Sequence, residues 1–178
     1  MRRSWGAVTL ALAFVLAACG GSSDSPVVKL DGSPRVPDAE GVVQSASAGG
    51  IRLDGGRSYG VSKNLIAFST YDREPIQLAR VRGSYVQVGL HKDTVVWLAR
   101  IGLVTPGASG KSVVQYQGNL VRVRDRRMEF RDGTVLKLAP ELKAPTSVTG
   151  STFIVIDPKR HVVQGARFAA AATSTTRT

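Results

Sequence analysis

From Glu40 onward, short apolar stretches alternate with polar residues and are cut by Asp-Gly, Gly-Gly and Gly-Ser steps. Valine dominates the apolar stretches. Val42-Val43, Ile51-Arg52-Leu53, Tyr59-Gly60-Val61, Tyr85-Val86-Gln87-Val88 and Val95-Val96-Trp97-Leu98 read as strands. So do Leu120-Val121-Arg122-Val123, Met128-Glu129-Phe130, Val135-Leu136-Lys137-Leu138, Phe153-Ile154-Val155-Ile156 and Val162-Val163. Period-two alternation with β-branched residues is the signature of a half-buried strand, and no long i, i+3, i+4 stripe competes with it. Pro75 to Arg80 and Ala139 to Lys143 offer at most a turn of helix. The pattern predicts an all-β chain.

The pattern also repeats. Val81 to Ile101 aligns without a gap on Val148 to Phe168 at an offset of 67, with nine of twenty-one residues identical, Gly83/Gly150, Ser84/Ser151, Val95/Val162 and Arg100/Arg167 among them. Such repetition fixes the unit of construction. An Asp-Gly turn signal precedes each copy, at Asp54-Gly55 and Asp132-Gly133, and favours a tight turn with positive φ. Asp54 stands 29 positions before Gly83 and Asp132 stands 18 before Gly150, so the first copy carries eleven extra residues, expected in a middle loop near Thr70 to Gln77. This organisation predicts unit 1 over 40–105, a linker over 106–111 and unit 2 over 112–168. A unit of about sixty residues buries only about 60% of its unfolded surface, so the two are expected to pack through a shared apolar face. Antiparallel strands with glycine bends suggest tandem, partly open β-barrels of the OB or SH3-like kind, related by duplication.

Ahead of the strands lies a different pattern. Arg2 and Arg3 precede an apolar run from Ala7 to Ala18, interrupted only by Thr9, and small residues lead into Cys19. This is the three-part shape of an export signal over 1–18. It is too short to span about 30 Å of hydrocarbon. Leu16-Ala17-Ala18-Cys19 resembles the lipobox of bacterial lipoproteins. That resemblance implies cleavage before Cys19, diacylglycerol on its sulfur and acylation of the new amino group; no other cofactor is expected. One acyl chain binds a membrane reversibly, whereas two or three hold firmly. Residues 19–39, rich in glycine, serine, proline and aspartate, read as a flexible tether of roughly 25 Å reach. The tail 169–178 shows no strand logic and reads as disordered.

The strand order resembles the short β-repeat domains found in tandem in many bacterial lipoproteins. Gly41-Val42-Val43, Tyr85-Val86-Gln87-Val88-Gly89 and Ala99-Arg100-Ile101 fit that order. The resemblance implies a fold and no particular activity. With the lipobox, it implies an extracytoplasmic address: the outer membrane facing the periplasm in a cell with two membranes, since Gly20 rather than aspartate follows Cys19, and otherwise the outer leaflet of the cell membrane.

Charge narrows the partners. Removing Arg2 and Arg3 from the 24 basic residues leaves 22 against 13 acidic ones, a net of +9. Such a charge draws the domain to anionic surfaces. The densest basic run is Arg122, Arg124, Arg126 and Arg127, with Val121 and Val123 expected on the opposite strand face. Adding Arg131, Lys159 and Arg160 gives a candidate polyanion-binding face. With aromatics at 6% and a lipid address, envelope polyanions such as lipopolysaccharide, cell-wall polymers or anionic lipid fit it better than nucleic acid.

Catalytic motifs do not emerge. Gly107 to Ser112 lacks the first glycine of a phosphate-binding loop and runs into a strand, Val113 to Tyr116, rather than a helix. His91 and His161 occupy non-equivalent positions of the two copies and read as turn residues, without metal-ligand spacing. Glu40, Glu74, Glu129 and Glu141 are scattered. The expected function is therefore non-catalytic binding or assembly through the β-units, on an envelope protein, with polyanion binding as the alternative.

Overall fold

The computed structural model describes residues 31–145 and 150–168. The expected export signal, the acylation site Cys19 and the tail 169–178 lie outside the described residues, as does Val148 of the second repeat copy. The described residues form ten strands: β1 (Ala39–Ser47), β2 (Gly50–Leu53), β3 (Ser58–Ser69), β4 (Ser84–His91), β5 (Thr94–Pro106), β6 (Ser112–Arg124), β7 (Arg127–Phe130), β8 (Val135–Lys137), β9 (Ser151–Asp157) and β10 (Val162–Phe168). Each falls on an apolar stretch picked out by the sequence pattern. Pro75 to Arg80 contributes a single 3₁₀ turn, Leu78–Arg80. Among the described residues no helix is long and apolar enough to cross a membrane.

The strand pairings follow one circuit twice. In the first half β1 pairs with β2, β2 with β3, β3 with β5, β5 with β4, and β4 returns to β1. In the second, β6 pairs with β7 and β7 with β8, while β9 joins β6 to β10. A single parallel bridge, Leu138 to Val163, carries the circuit from the end of β8 to β10. One expectation needs correction: the sheet is not antiparallel throughout. β3 runs parallel to β5, with Ile66 to Ser69 beside Trp97 to Arg100. β4 is the return stroke between them, so β5 re-enters in the direction of β3.

The hairpins β4–β5 and β9–β10, which carry the repeated sequence, pair in the same register. Val86, Gln87 and Val88 oppose Arg100, Ala99 and Leu98; at offset 67, Phe153, Ile154 and Val155 oppose Arg167, Ala166 and Gly165. Each also has a bulge near its turn, after Gly89 and after Val163. Gly83 and Gly150 open the two hairpins with φ of 76° and 93°. A side chain there would be strained, which accounts for glycine at both.

The eleven extra residues of unit 1 are not confined to the expected loop. β3 has 12 residues and β8 has 3, so much of the difference is strand, including the second half of β3. The reason is apolar content: Leu65 to Phe68 is a continuous apolar run, with Phe68 buried to 2%. Of residues 106–111, expected as a linker, Pro106 ends β5 and 107–111 form a tight turn into β6; the two strands pair from Val104/Val114 to Pro106/Ser112. The last part of the expected tether also lies against the domain. The Arg35 amide donates to the Gly133 carbonyl (2.8 Å), its guanidinium donates to the Asp132 carbonyl (2.5 Å) and sits 4.9 Å over the Phe68 ring.

Two apolar cores result. Val43, Ile51, Leu53, Val86, Val88 and Leu98 fill the first unit. The second holds Val114, Tyr116, Met128, Phe130, Ile154 and Ile156, and it also takes in Phe68, Tyr85, Ala99 and Ile101 from the first unit. Residues from both halves of the chain thus share this core. Tyr116 and Phe130 meet edge to face at 4.9 Å, a geometry that adds about 0.5–1.5 kcal/mol to area burial.

β4 is buried on both sides, because Val86 and Val88 face one core while Tyr85 and Gln87 face the other unit. The Gln87 amide, 1% exposed, donates to the Val135 carbonyl (2.7 Å) and to Glu40 Oε2 (3.2 Å). Replacing Gln87 with leucine leaves that buried carbonyl without its donor. We expect a loss of about 1–3 kcal/mol in urea unfolding, with both units still melting in one transition.

Candidate functional site

The seven basic residues of the candidate face do not form one free patch. Arg122 Nε lies 2.7 Å from Glu129 Oε2, across the β6–β7 hairpin. Arg124 pairs with Asp125 at 3.4 Å. Arg126 donates to the carbonyls of Ala139 and Leu142, the latter at 2.9 Å, and so ties the hairpin tip to the segment after β8. Arg160 grips both oxygens of Glu141, at 2.6 and 3.2 Å. That bond holds the Glu141 carboxyl at about 2, well below its ordinary 4.5. Arg127 and Lys159 are exposed and make no ion pair among the described residues. Arg131 stands at the other end of β7, beyond Phe130, roughly 13 Å of extended chain from Arg127.

The strand geometry there also departs from simple alternation. Leu120 opposes Phe130 and Arg122 opposes Glu129, so Val121 is an extra residue in β6. The bulge turns Val121 outward, 54% exposed, while Leu120 and Val123 pack on the core. A bulge re-aims the side chains that follow it. The expectation that Val121 and Val123 share an inner face is corrected accordingly.

Arg131 instead belongs to a shallow polar cleft of about 350 Å³ between the units. Thr70 to Arg73 form one wall, and Gln117 to Asn119 with Arg131 and Asp132 form the other. Tyr71 is 88% exposed at its edge. Asp132 is engaged internally, accepting from the Thr134 amide and hydroxyl (each 2.9 Å) and from Tyr116 Oη (3.0 Å).

A second cleft, of about 310 Å³, lies where the units meet and is lined by Asp38, Glu40, Arg57, Lys137, Arg160 and His161. His161 sits in the β9–β10 turn, as expected of a turn residue, but it also reaches across the junction. Its Nδ1 is 3.3 Å from Tyr85 Oη and the rings lie 5.9 Å apart. Its φ is 54°, in the left-handed region where histidine is tolerated better than most residues. Sequence pattern could not find this contact, because Tyr85 and His161 are 76 positions apart. Asp38 and Glu40 are occupied within the fold, by the Leu90 amide (2.7 Å) and by Gln87.

A third concavity is different in character. It measures about 660 Å³ and lies on the outer face of β6, β9 and β10. Gly107, Ala108, Val113, Phe153, Val155 and Ala166 supply an apolar lining, with Gln115 and Arg167 at its margin. Its volume falls in the range of small-ligand and peptide-side-chain sites. Phe153 is 44% exposed there because residues 153 and 155 point away from the core row of Ile154 and Ile156.

No family model, curated protein or solved structure matches the chain. The surfaces therefore have to be weighed on their own chemistry. The two polar clefts carry both signs of charge. The groove on β6, β9 and β10 combines apolar lining with exposed aromatic surface, the combination that marks interaction sites.

Tyr116 and Tyr85 give the junction a pH signature. Burial raises both phenols above their ordinary value of 10, and Asp132 and Glu40, respectively, push in the same direction. The folded state keeps both neutral while the unfolded chain ionises near pH 10. Their contribution is thus complete below pH 10 and is lost as pH rises beyond it, by up to about 1.4 kcal/mol per tyrosine per pH unit. Thermal melts from pH 8 to 11.5 are expected to fall steeply above about pH 10, and Tyr116→Phe to lessen that fall.

Proposed function

We propose that this chain is a lipid-anchored cell-envelope module that works by binding rather than by catalysis, holding a partner protein on the outer face of its second β-unit. In this reading each unit is a small, partly open OB-like barrel, and the two arose by duplication. The doubled circuit of pairings, with its parallel step, and the matched registers of β4–β5 and β9–β10 support that view. The anchor is Cys19, cleaved and acylated as its lipobox resemblance implies, and the address is extracytoplasmic. The observation that carries the binding reading is the apolar groove over β6, β9 and β10, with the exposed Phe153 in its lining.

The alternative ligand is an envelope polyanion. Arg127, Arg131 and Lys159 favour it, but the pairing of Arg122, Arg124 and Arg160, and the engagement of Arg126 with backbone carbonyls, subtract from it. Salt separates the two. Envelope association of the unlipidated chain is expected to change by less than about twofold between ~50 and ~300 mM salt if apolar contacts dominate. A steep fall, abolished by charge reversal at Arg127 and Lys159, would replace the protein partner with a polyanion.

The anchor has its own test. Cys19→Ala is expected to leave the precursor unprocessed or to release the domain from membranes, followed by fractionation and mass spectrometry of the N-terminus. A processed Cys19→Ala chain that stays membrane-bound would refute it.

A further inference from the structure

We infer that the edge of β10 from Gln164 to Arg167 is a docking slot for one extended strand of a partner protein, laid parallel to β10 with apolar side chains at alternate positions. The inference rests on the protein-partner reading above and specifies how that partner is held.

The first unit shows what the slot takes. There, Trp97, Leu98, Ala99 and Arg100 of β5 pair on one side with β4 and on the other with Ile66, Ala67, Phe68 and Ser69 of β3, in parallel. At offset 67 the corresponding residues are Gln164, Gly165, Ala166 and Arg167. They pair with β9 only; past the Leu138–Val163 bridge, no described residue pairs with their other side. Among the described residues unit 2 has no counterpart of that strand: β8 ends at Lys137 after 3 residues, where β3 has 12.

The side chains register the missing neighbour. Ala99 is 2% exposed under β3, whereas Ala166, its counterpart, is only half-buried, and Phe168 is 42% exposed. An open edge presents unpaired N–H and C=O groups that template pairing with another chain, and natural edges are commonly blunted by charge or bulges. Arg167 is no such device, because its counterpart Arg100 sits in a fully paired strand. The apolar groove adjoins the same residues, with Gly165 and Ala166 in its lining, so a strand added at the edge would find apolar surface beside it. Main-chain bonds would supply affinity and the groove would supply selectivity, the division of labour seen in strand addition generally.

The probe is a synthetic peptide with the sequence of residues 62–70, SKNLIAFST, which includes the segment of β3 that fills the equivalent position. It is added to the full mature chain in detergent micelles. Saturable binding is expected, with slower hydrogen exchange at the amides of Gln164 to Arg167. The same peptide with proline at the Ala67 position is expected not to bind, and Ala166→Asp in the protein to weaken binding at least about tenfold. Unchanged exchange at Val114 and Ile154 would show that the Ala166→Asp chain is folded; if they change, Ala166→Ser serves instead, with a smaller loss. No binding overturns the slot. So does strong protection of Gln164 to Arg167 before peptide is added, which would mean that this chain covers its own edge. Peptide-induced dissociation of a dimer would make the occupant a second copy and overturn the partner assignment. In cells, a protein crosslinked equally by wild type and Ala166→Asp would sink the slot and leave the binding reading standing. Absence of any specific crosslinked protein would sink that reading itself.

Discussion

From Ser84 to Gly89, β4 has no solvent face, and the rest of the molecule depends on that. Val86 and Val88 are fully buried in the first core, and Tyr85, 1% exposed, enters the second. Gln87, on the same side as Tyr85, is the polar exception, and its two hydrogen bonds fix how β1, β4 and β8 sit around one another. Burying an amide is costly unless its bonds are made, so this contact specifies geometry more than it adds stability. A unit of this size on its own is marginal, and sharing β4 between two cores answers that. The second core includes Phe68, Tyr85, Ala99 and Ile101 from the first unit.

Much of the fold was legible in the chain because β-strand alternation is a local signal. Met128-Glu129-Phe130 buries its two ends and leaves Glu129 outward, as a period of two requires. Asp54-Gly55 and Asp132-Gly133 mark turns with glycine φ of 75° and 85°. What stayed hidden is non-local. Strand direction leaves no trace in a period of two, so the parallel β3–β5 step could not be read. Leu65 to Phe68 shows no alternation because both its faces are covered, Phe68 packing on one core and Leu65 and Ala67 on the other.

The basic face shows the same limit in charges. A run such as Arg122 to Arg127 reads as a positive surface when only neighbours in sequence are considered. Several partners are set by folding: Glu141 lies 19 positions from Arg160, and the carbonyls that hold Arg126 lie 13 and 16 positions away. An arginine clamped on backbone carbonyls acts as a brace, and its planar fork suits that role. Formal charge overstated what this surface offers to a ligand. The junction contacts of Tyr85, Gln87 and His161 were invisible for the complementary reason, since none belongs to a motif.

Arg35 has a mechanical consequence. A chain held at its N-terminus transmits any pull through the residues that lead into β1. Those residues are stapled at Arg35 to the carbonyls of Asp132 and Gly133, in the second unit, before β1 begins in the first. The first contacts on that path therefore lie at the seam between the units. A pull applied ahead of Arg35 would meet these two bonds before it reached the β1–β4 pairing.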